Sequence, residues 1–298
     1  MRSQKKLVVV AGPTAVGKTD VAIKLAQHFH TEVVSADARQ VYKELGVGVA
    51  KPDAMQLMAV KHHFISSHSI HDNFNAASYG EEALVLIKKL FETHDKVILC
   101  GGSGLYIKAL LEGFDDVPEV DKNVRSSITE QYNLKGLGWL QDEVRKIDPD
   151  YFEVVDQKNP HRLMRALEVS MSTGTKISNW RKQSKRQLEF DVVKIGLALP
   201  MDELYHRIDS RMDQMIAHGL FEEAASLYSH RNLQALQTVG YREIFAFMDH
   251  SYDKDEAIRL LKRNTRHYAK RQMTWFRKDP EFTWLRPDQW NEIVNVAG

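Results

Sequence analysis

The sequence predicts an α/β protein in which a parallel β-sheet forms the core and a helical domain is inserted near the middle of the chain. Short apolar segments alternate with helical patterns in the N-terminal third, as expected where helices connect parallel strands. A charged segment without any strand signal follows, and an apolar strand and further helical patterns come after it. The first observation indicates the α/β core, and the second indicates the helical insert.

Four apolar segments predict core strands, at residues 6–11, 32–35, 96–100 and 190–199. The first three end in small or polar residues, which is typical of buried parallel strands. Ligands of such sheets gather at the carboxyl ends of the strands. We therefore expect residues 12–19, 36–40 and 101–106 to meet in one crevice.

Outside these strands the sequence predicts mainly helices. The whole chain divides into three segments: 1–114 is the first part of the core, 115–189 is the helical insert, and 190–298 continues the core with basic C-terminal helices. In the insert, Asn159 and Pro160 predict a capped helix start, and Gly174 predicts its end. After residue 200, an apolar stripe that includes Leu204 and Met212 predicts a helix that Gly219 closes.

A glycine-rich loop directly follows the first strand and precedes an amphipathic helix. This G-x-x-x-x-G-K-T pattern predicts a phosphate-binding loop, or P-loop, in which backbone N–H groups turn toward an anion. Lys18 is expected to reach the outer phosphate, and the Thr19 hydroxyl to ligate Mg²⁺. The predicted loop comprises Gly12, Pro13, Thr14, Ala15, Val16, Gly17, Lys18 and Thr19. Such loops serve NTPases, kinases and other transferases, so the loop alone leaves the reaction open.

Composition excludes several classes of protein. The formal charge of +1 excludes a globally basic nucleic-acid binder, so affinity for a polyanion must come from local clusters. Cys100 is the only cysteine, which excludes an intrachain disulfide and a cysteine-based zinc site. The sequence contains no apolar run long enough to span a bilayer and no signal peptide at its start. We therefore expect a cytoplasmic protein that does not associate with membranes.

Asp37 and Ser103 are the candidate catalytic residues of the predicted crevice. Asp37 follows the second strand and has two functional interpretations, a water-mediated Mg²⁺ ligand or a general base. A helix N-cap or a salt bridge to Arg39 is the structural alternative. Ser103 lies in a second glycine-rich strand end and could hydrogen-bond Asp37 or a substrate. Cys100, just before it, is interpreted as a small core residue.

Basic residues cluster near the C-terminus. The segment 259–278 contains eight lysines and arginines and no acid, with aromatic residues between them, which indicates a surface for a polyanion. The eight are Arg259, Lys262, Arg263, Arg266, Lys270, Arg271, Arg277 and Lys278. A second patch is predicted at Arg181, Lys182, Lys185 and Arg186, and a third at Arg162 and Arg165.

Eight motifs in order along nearly the whole chain resemble the tRNA dimethylallyltransferase (tRNA isopentenyltransferase) family of bacterial type. They lie at residues 12–19, 35–42, 48–52, 62–63, 101–106, 162–168, 240–243 and 270–277. The resemblance implies a P-loop NTPase-like core with a helical insert that contacts tRNA. It also implies transfer of a dimethylallyl group from dimethylallyl diphosphate to N6 of adenosine 37, in the anticodon loop of tRNA. Separately, we expect a monomer with Mg²⁺ as cofactor.

The same resemblance assigns roles to individual residues. It implies that Asp37 is the general base, that the P-loop and Arg211 bind the diphosphate, and that Ser103 and Arg125 tune the site. Implied tRNA contacts are Asp37, Ala38, Arg39, Gln40, Ser103, Arg125, His161, Arg162, Leu163, Met164, Arg165 and Arg242. Ala38 and His161 depart from the serine and glutamine usual in the family. Ala38 lacks a side-chain donor, and His161 makes any contact sensitive to pH.

Two other functions compete with prenyl transfer. A small-molecule kinase would use Asp37 as the base for a substrate hydroxyl, although the basic C-terminus argues against it. A non-catalytic RNA-binding protein would need neither Asp37 nor a pocket for an alkyl chain. A GTPase is disfavoured because the sequence has no N-K-x-D element.

Overall fold

The fold is that of a computed structural model, which describes residues 5–115, 117, 120–180 and 186–298. The chain forms two compact units. Unit 1 comprises residues 1–113 and 187–298, and unit 2 comprises residues 114–186. No helix in the described part of the chain is long and apolar enough to cross a membrane.

Unit 1 is built on a parallel sheet of six strands. In chain order the strands are β1 (Lys6–Ala11), β2 (Val33–Ser35), β3 (His62–His63), β4 (Lys96–Gly101), β5 (Asp191–Leu197) and β6 (Phe282–Leu285). Their order across the sheet is β3-β2-β4-β1-β5-β6, and every pairing is parallel. The central strands β1 and β4 are almost entirely buried, which explains their continuous apolar sequences.

Helices cover the sheet of unit 1. They are α1 (Lys18–His28), α2 (Ala54–Ala59), α3 (Ala76–Leu90), α4 (Gly104–Glu112), α9 (Met201–Ala217), α10 (Leu220–Ser226), α11 (Tyr241–Met248), α12 (Lys254–Phe276) and α13 (Trp290–Ala297). Two hydrophobic clusters flank the sheet: Leu7 and Leu99 belong to one, and Val8 and Ile98 to the other. Successive residues of β1 and β4 thus point to opposite faces, as strand geometry requires.

Unit 2 is entirely helical within the described residues. Its helices are α5 (Lys122–Ile147), α6 (Pro149–Val154), α7 (Pro160–Thr173) and α8 (Ile177–Trp180). The backbone of α5 is broken at Gly136, where φ is 75°. The predicted cap of α7 is confirmed, because the Asn159 side chain accepts a hydrogen bond from the Arg162 N–H and Gly174 ends the helix in the left-handed conformation.

The predicted α/β class and parallel core are confirmed, and each of the four predicted strands forms within one or two residues of its expected bounds. The short edge strands β3 and β6 were not predicted. Strand β3 has only two residues, too few to show an alternating pattern, and only one of the four residues of β6 is buried. Edge strands of this kind depend on pairing with an existing neighbour, which local sequence does not report.

The close approach of β2 and β4 depends on a glycine. A Cβ atom built on Gly101 would lie 2.1 Å from the Ala36 carbonyl oxygen. The backbone N–H of Ala36 donates to the Cys100 carbonyl at 2.7 Å, so the two strand ends are joined where that side chain would have to fit. Position 101 therefore excludes any residue larger than glycine.

We expect Gly101→Ala to destabilise unit 1 by about 2 kcal/mol or more, because backbone must move to admit the methyl group. Gly138→Ala is the control, since a Cβ there would meet nothing within 4 Å in helix α5. That variant should be neutral or slightly stabilising. Urea unfolding of both variants measures the difference, and equal stabilities would contradict the strand geometry.

Candidate active site

The carboxyl ends of β1, β2 and β4 line one crevice of about 670 Å³ in unit 1. The three segments that the sequence predicted to converge do so. Lining residues from these segments include Thr14, Ala15, Gly17, Lys18, Thr19, Asp37, Arg39, Gln40 and Gly101. Helices α9 and α12 complete the walls with Arg211, Tyr268 and Gln272.

The loop after β1 has the geometry of a phosphate-binding turn. Ala15 and Gly17 have positive φ angles of 64° and 99°, so the chain doubles back before α1 begins at Lys18. The Nζ atom of Lys18 donates to the Pro13 carbonyl at 2.7 Å. Val16 packs its side chain into the core and can contribute only its backbone. The N-terminus of α1 faces the crevice with Lys18 and Thr19, as anion binding requires.

Gln272 on α12 joins the P-loop to the end of β4. Its Oε1 atom accepts a hydrogen bond from the Thr14 N–H at 2.9 Å, and its Nε2 atom donates to the Gly102 carbonyl at 2.9 Å. The side chain is buried, so both bonds are shielded from water. The motif at residues 270–277 contains this glutamine, but the sequence assigned it no role. Because Thr14 N–H is used here, the anion must be held by other donors of the loop.

Charged groups of both signs line the crevice, and three of them, Lys18, Arg211 and Asp37, influence one another. Burial lowers the pKa of Lys18 to about 8, while Asp37 opposes that shift. Burial also lowers the pKa of Arg211, again against the influence of Asp37. Two cations and one carboxylate therefore lie within electrostatic range, which suits a polyanionic ligand.

Cys100 lies at the end of β4 and lines the same crevice. Burial raises the pKa of its thiol to about 12, although Lys18 lowers it slightly. The thiol is therefore protonated at neutral pH and is a poor nucleophile.

Asp37 occupies a turn rather than a helix start. Its Oδ1 atom accepts hydrogen bonds from the Arg39 and Gln40 N–H groups at 2.9 and 3.2 Å. Within the described residues no helix begins here and Asp37 forms no ion pair with Arg39, so the side chain caps a turn and not the helix that the structural alternative supposed. Oδ1 orients the carboxylate, and Oδ2 makes no hydrogen bond with the part of the chain described. The second oxygen is available to a substrate.

Ser103 acts on the neighbour of Asp37. Its Oγ atom accepts a hydrogen bond from the Ala38 N–H at 2.8 Å, and its own N–H donates to the Ala36 carbonyl at 3.2 Å. Among the described residues Ser103 makes no hydrogen bond with Asp37, and its hydroxyl instead holds the Asp37 turn through Ala38; the alternative predicted contact, with a substrate, stays a prediction. Ala38 has no side-chain donor, but its backbone N–H is satisfied by this serine.

The crevice contains the oxygen ligands that Mg²⁺ prefers. The Thr19 hydroxyl and the carboxylates of Asp20 and Asp37 all line it. One oxygen of Asp20 accepts from Gln56 Nε2 at 2.9 Å. Mg²⁺ is usually held by one or two carboxylates together with phosphate oxygens and water. No cluster of three His, Cys, Asp or Glu residues able to hold a metal occurs in the described ranges, so the donor set fits Mg²⁺ only when a ligand phosphate completes it.

The predicted RNA-contacting residues of the insert lie on or beside helix α7 of unit 2. His161 and Arg162 are exposed at its first turn, and Met164 is partly buried. Leu163 is fully buried in the hydrophobic core of this unit, so the predicted contact of this residue with RNA would have to be made by its backbone. At helical spacing, residues 161 and 162 face solvent while residue 163 faces inward.

Arg125 and Arg165 both pair with one buried acid. Arg125 Nε and Nη2 donate to the two carboxylate oxygens of Glu168 at 3.1 and 3.3 Å, and Arg165 Nη1 lies 3.7 Å from the same carboxylate. The two arginines therefore stabilise unit 2 and leave less net charge for an external anion. Within the second predicted basic patch, Arg181, Lys182 and Lys185 lie outside the described residues.

The basic segment 259–278, here called the basic stripe, divides into two halves. In the first half, Arg259 pairs with Glu256, Lys262 with Asp213 at 2.6 Å, and Arg266 with Asp209 at 2.6 Å. Two of these acids belong to α9, so three of the four cations in this half are paired with acids, while Arg263 donates to the Asn264 side chain. The surface for a polyanion that the sequence predicts over residues 259–278 therefore has less net charge in this half.

The second half of the stripe keeps its positive charge. His267, Lys270, Arg271, Thr274, Trp275 and Lys278 line a shallow depression of about 410 Å³. Trp275 is 39% exposed, and no acid lines this depression. Cations beside an exposed indole are the side chains expected for a nucleic acid. Arg242, another predicted RNA contact, is exposed and lies two residues after Gly240, the last of three successive residues that line the main crevice.

The sheet and the loop after β1 define a class of proteins: α/β proteins with a P-loop NTPase-like core. The chain belongs within that class to the IPP transferase family, whose sequence model matches residues 40–279. It is therefore an enzyme of a transferase family.

Individual relatives agree with this membership. The chain is 49% identical to a tRNA dimethylallyltransferase of Cytophaga hutchinsonii, over 97% of this chain and 95% of the relative. A tRNA isopentenylpyrophosphate transferase of Bacillus halodurans is 36% identical and superposes with a TM-score of 0.71, covering 99% of this chain and 95% of that one. A eukaryotic dimethylallyltransferase acting on tRNA has a TM-score of 0.80 and 25% identity, covering 98% and 77% of the two chains.

Lys18 should make pyrophosphate binding depend on pH. The ammonium group is charged below its pKa of about 8 and neutral above it, so raising the pH from about 7 to about 9.5 should weaken pyrophosphate binding about tenfold. The control is Lys18→Arg, whose guanidinium stays charged over this range. Titration calorimetry of both proteins measures the effect, and identical pH profiles would contradict the assignment.

Proposed function

We propose that this enzyme transfers a dimethylallyl group from dimethylallyl diphosphate to N6 of adenosine 37, in the anticodon loop of tRNA. The observation that carries the proposal is the shared crevice, where the Asp37 carboxylate lies with Lys18 and Arg211. A base for the nucleophile and cations for a diphosphate are the two requirements of this reaction. The names of the relatives support the same chemistry.

The P-loop and the two cations would hold the leaving group. When the allylic C–O bond breaks, its electron pair goes to the diphosphate, and negative charge develops beside Lys18 and Arg211. Preorganised donors at the start of α1 stabilise charge at this point without reorganisation. Thr19, with the neighbouring carboxylates, would hold Mg²⁺, which supplies additional positive charge to the diphosphate.

Asp37 would accept the proton. The N6 lone pair of adenine is delocalised into the ring, so the amine becomes a competent nucleophile only if its proton leaves as the new C–N bond forms. The Oδ2 atom of Asp37 can take that proton while Oδ1 stays bound to the turn. Ser103 supports the same turn through Ala38, which makes it a positioning residue.

The target base must leave its stack to enter the crevice, at a cost of a few kcal/mol. Contacts between the RNA backbone and cationic side chains can offset that cost. We propose that Lys270, Arg271 and Lys278, with Trp275, supply part of these contacts on unit 1. The exposed His161 and Arg162 would supply others on unit 2.

The function is tested by incubating the protein and Mg²⁺ with unmodified tRNA and dimethylallyl diphosphate, followed by mass spectrometry of nuclease fragments. A gain of one C5H8 unit on the fragment that contains adenosine 37 is the expected result. In a parallel incubation with labelled ATP in place of dimethylallyl diphosphate, transfer of label to a small substrate would support the kinase alternative instead. Bound but unchanged tRNA would indicate an RNA-binding protein without this activity.

We expect Asp37→Asn to slow the chemical step by roughly 10²–10⁴-fold while both substrates still bind. The amide oxygen can keep the hydrogen bonds from Arg39 and Gln40 N–H, so the turn should survive. Single-turnover kinetics at two Mg²⁺ concentrations measure the rate. A rate within about threefold of the parent would leave only the turn-forming role, and rescue by high Mg²⁺ would indicate a metal ligand.

The two halves of the basic stripe should respond differently to neutralisation. Lys270→Gln with Arg271→Gln should weaken tRNA binding and reduce its salt dependence by up to about one slope unit for each RNA phosphate that the variant no longer binds. Arg259→Gln, at a position already paired with Glu256, is the matched control and should change the slope little. Filter binding across a salt series measures both, and equal slopes for the double variant and the parent would contradict RNA binding at this surface.

A further inference from the structure

One wall of the crevice is a segment with little regular structure of its own. Residues 46–50, here called the wall loop, contain a single turn of 3₁₀-helix at Val47–Val49. Gly48, Val49 and Ala50 line the crevice. Ala50 has a positive φ of 47°, an unfavourable conformation for an alanine that neighbouring contacts must maintain.

Glu223 on helix α10 binds the first half of this loop. Its Oε2 atom accepts hydrogen bonds from the Gly46 and Val47 N–H groups at 2.9 and 2.7 Å, and Oε1 accepts from the Gly48 N–H at 2.8 Å. Three successive backbone donors thus converge on one carboxylate. Such a turn of N–H groups is an anion-binding nest, and here a side chain of the same protein fills it.

Tyr241 completes the arrangement from the core. Its hydroxyl donates to Glu223 Oε1 at 2.6 Å, and its ring is fully buried. The loop approaches this ring so closely that a Cβ atom at Gly48 would lie 2.6 Å from the tyrosine oxygen. Glu223 therefore accepts four hydrogen bonds, and the loop has no room to shift toward α11.

The second half of the wall loop is connected to the Asp37 turn. Gln40 Nε2 donates to the Ala50 carbonyl at 2.9 Å and lies 3.4 Å from the Val49 carbonyl. The backbone N–H of the same glutamine donates to Asp37 Oδ1. A continuous series of hydrogen bonds thus runs from Glu223 through the wall loop and Gln40 to the carboxylate in the crevice.

We propose that Glu223 is a positioning residue for the reaction: it fixes the wall loop, and through Gln40 it fixes the orientation of the Asp37 carboxylate. This inference rests on the proposed function, in which Asp37 takes the proton from N6. A displacement of about 1 Å at a catalytic group can lower a rate about a hundredfold. Glu223 itself does not line the crevice, so it would act only through the loop.

The test compares Glu223→Gln with Glu222→Gln. The amide at position 223 keeps one acceptor but directs an N–H₂ group at backbone donors, which disrupts the nest with almost no change in volume. Glu222 is exposed on the same helix, so its variant is a matched control for loss of charge. Hydrogen exchange, pyrophosphate affinity, melting temperature and single-turnover rate are measured for both variants and the parent.

We expect Glu223→Gln to speed amide exchange about tenfold or more in residues 46–50 and to lower the single-turnover rate about ten- to a hundredfold. Pyrophosphate affinity should stay within about twofold of the parent, because the P-loop lies outside the series of hydrogen bonds. This separation between rate and donor affinity distinguishes positioning from general destabilisation, which would lower both in proportion to the folded fraction. Glu222→Gln should resemble the parent in every measurement.

Two results for Glu223→Gln would overturn the inference while leaving the proposed function intact. Parent-like rates in Glu223→Gln, whatever its exchange pattern, would show that the wall loop does not position Asp37 while leaving the proposed function intact. Equal losses of rate and pyrophosphate affinity would show that Glu223 only stabilises the fold. If the parent enzyme itself fails to modify tRNA, the proposed function falls and this inference falls with it, a result that no behaviour of the variant can imitate.

Discussion

The parallel pairing of β2, β4 and β1 is the constraint on which the candidate site depends. Cα partners Ala11 and Gly101, and Ser35 and Cys100, place three strand ends at one level of the sheet. Each strand then continues into a loop that contributes different chemistry. Parallel strands must end on the same side, so the phosphate loop, the Asp37 turn and the Ser103 turn become neighbours although they are far apart in sequence.

Hydrogen bonds between these loops fix their positions relative to one another. Gln272 joins the P-loop to the end of β4, and Ser103 joins that same strand end to the Asp37 turn. Most of the bonds involve backbone groups, which give little positional freedom once formed. The crevice is therefore held by side chains from remote parts of the chain, notably from α12, while its charged groups remain open to a ligand.

Electrostatics divides unit 1 into a partly buried site and a more exposed surface. In the crevice, burial lowers the pKa of Lys18 and of Arg211, and one carboxylate opposes the shift for both. On α12, acids from α9 pair with two cations in the first half of the basic stripe. The acid-free part of the stripe is the region around Trp275, which is a smaller surface than the sequence suggests.

The α/β class, the strands β1, β2, β4 and β5, the phosphate loop and the capped helix after Asn159 all follow from the sequence alone, because each depends on local periodicity or on a turn with a specific residue requirement. Contacts in the folded chain, by contrast, determine which cations are paired, that Leu163 faces the core, that Ser103 supports Ala38, and that Glu223 binds residues 46–48. These features depend on contacts between segments up to 177 residues apart. Sequence periodicity shows which face of a helix or strand is apolar. It does not show which element packs against that face, because that depends on how distant segments pack in the folded chain.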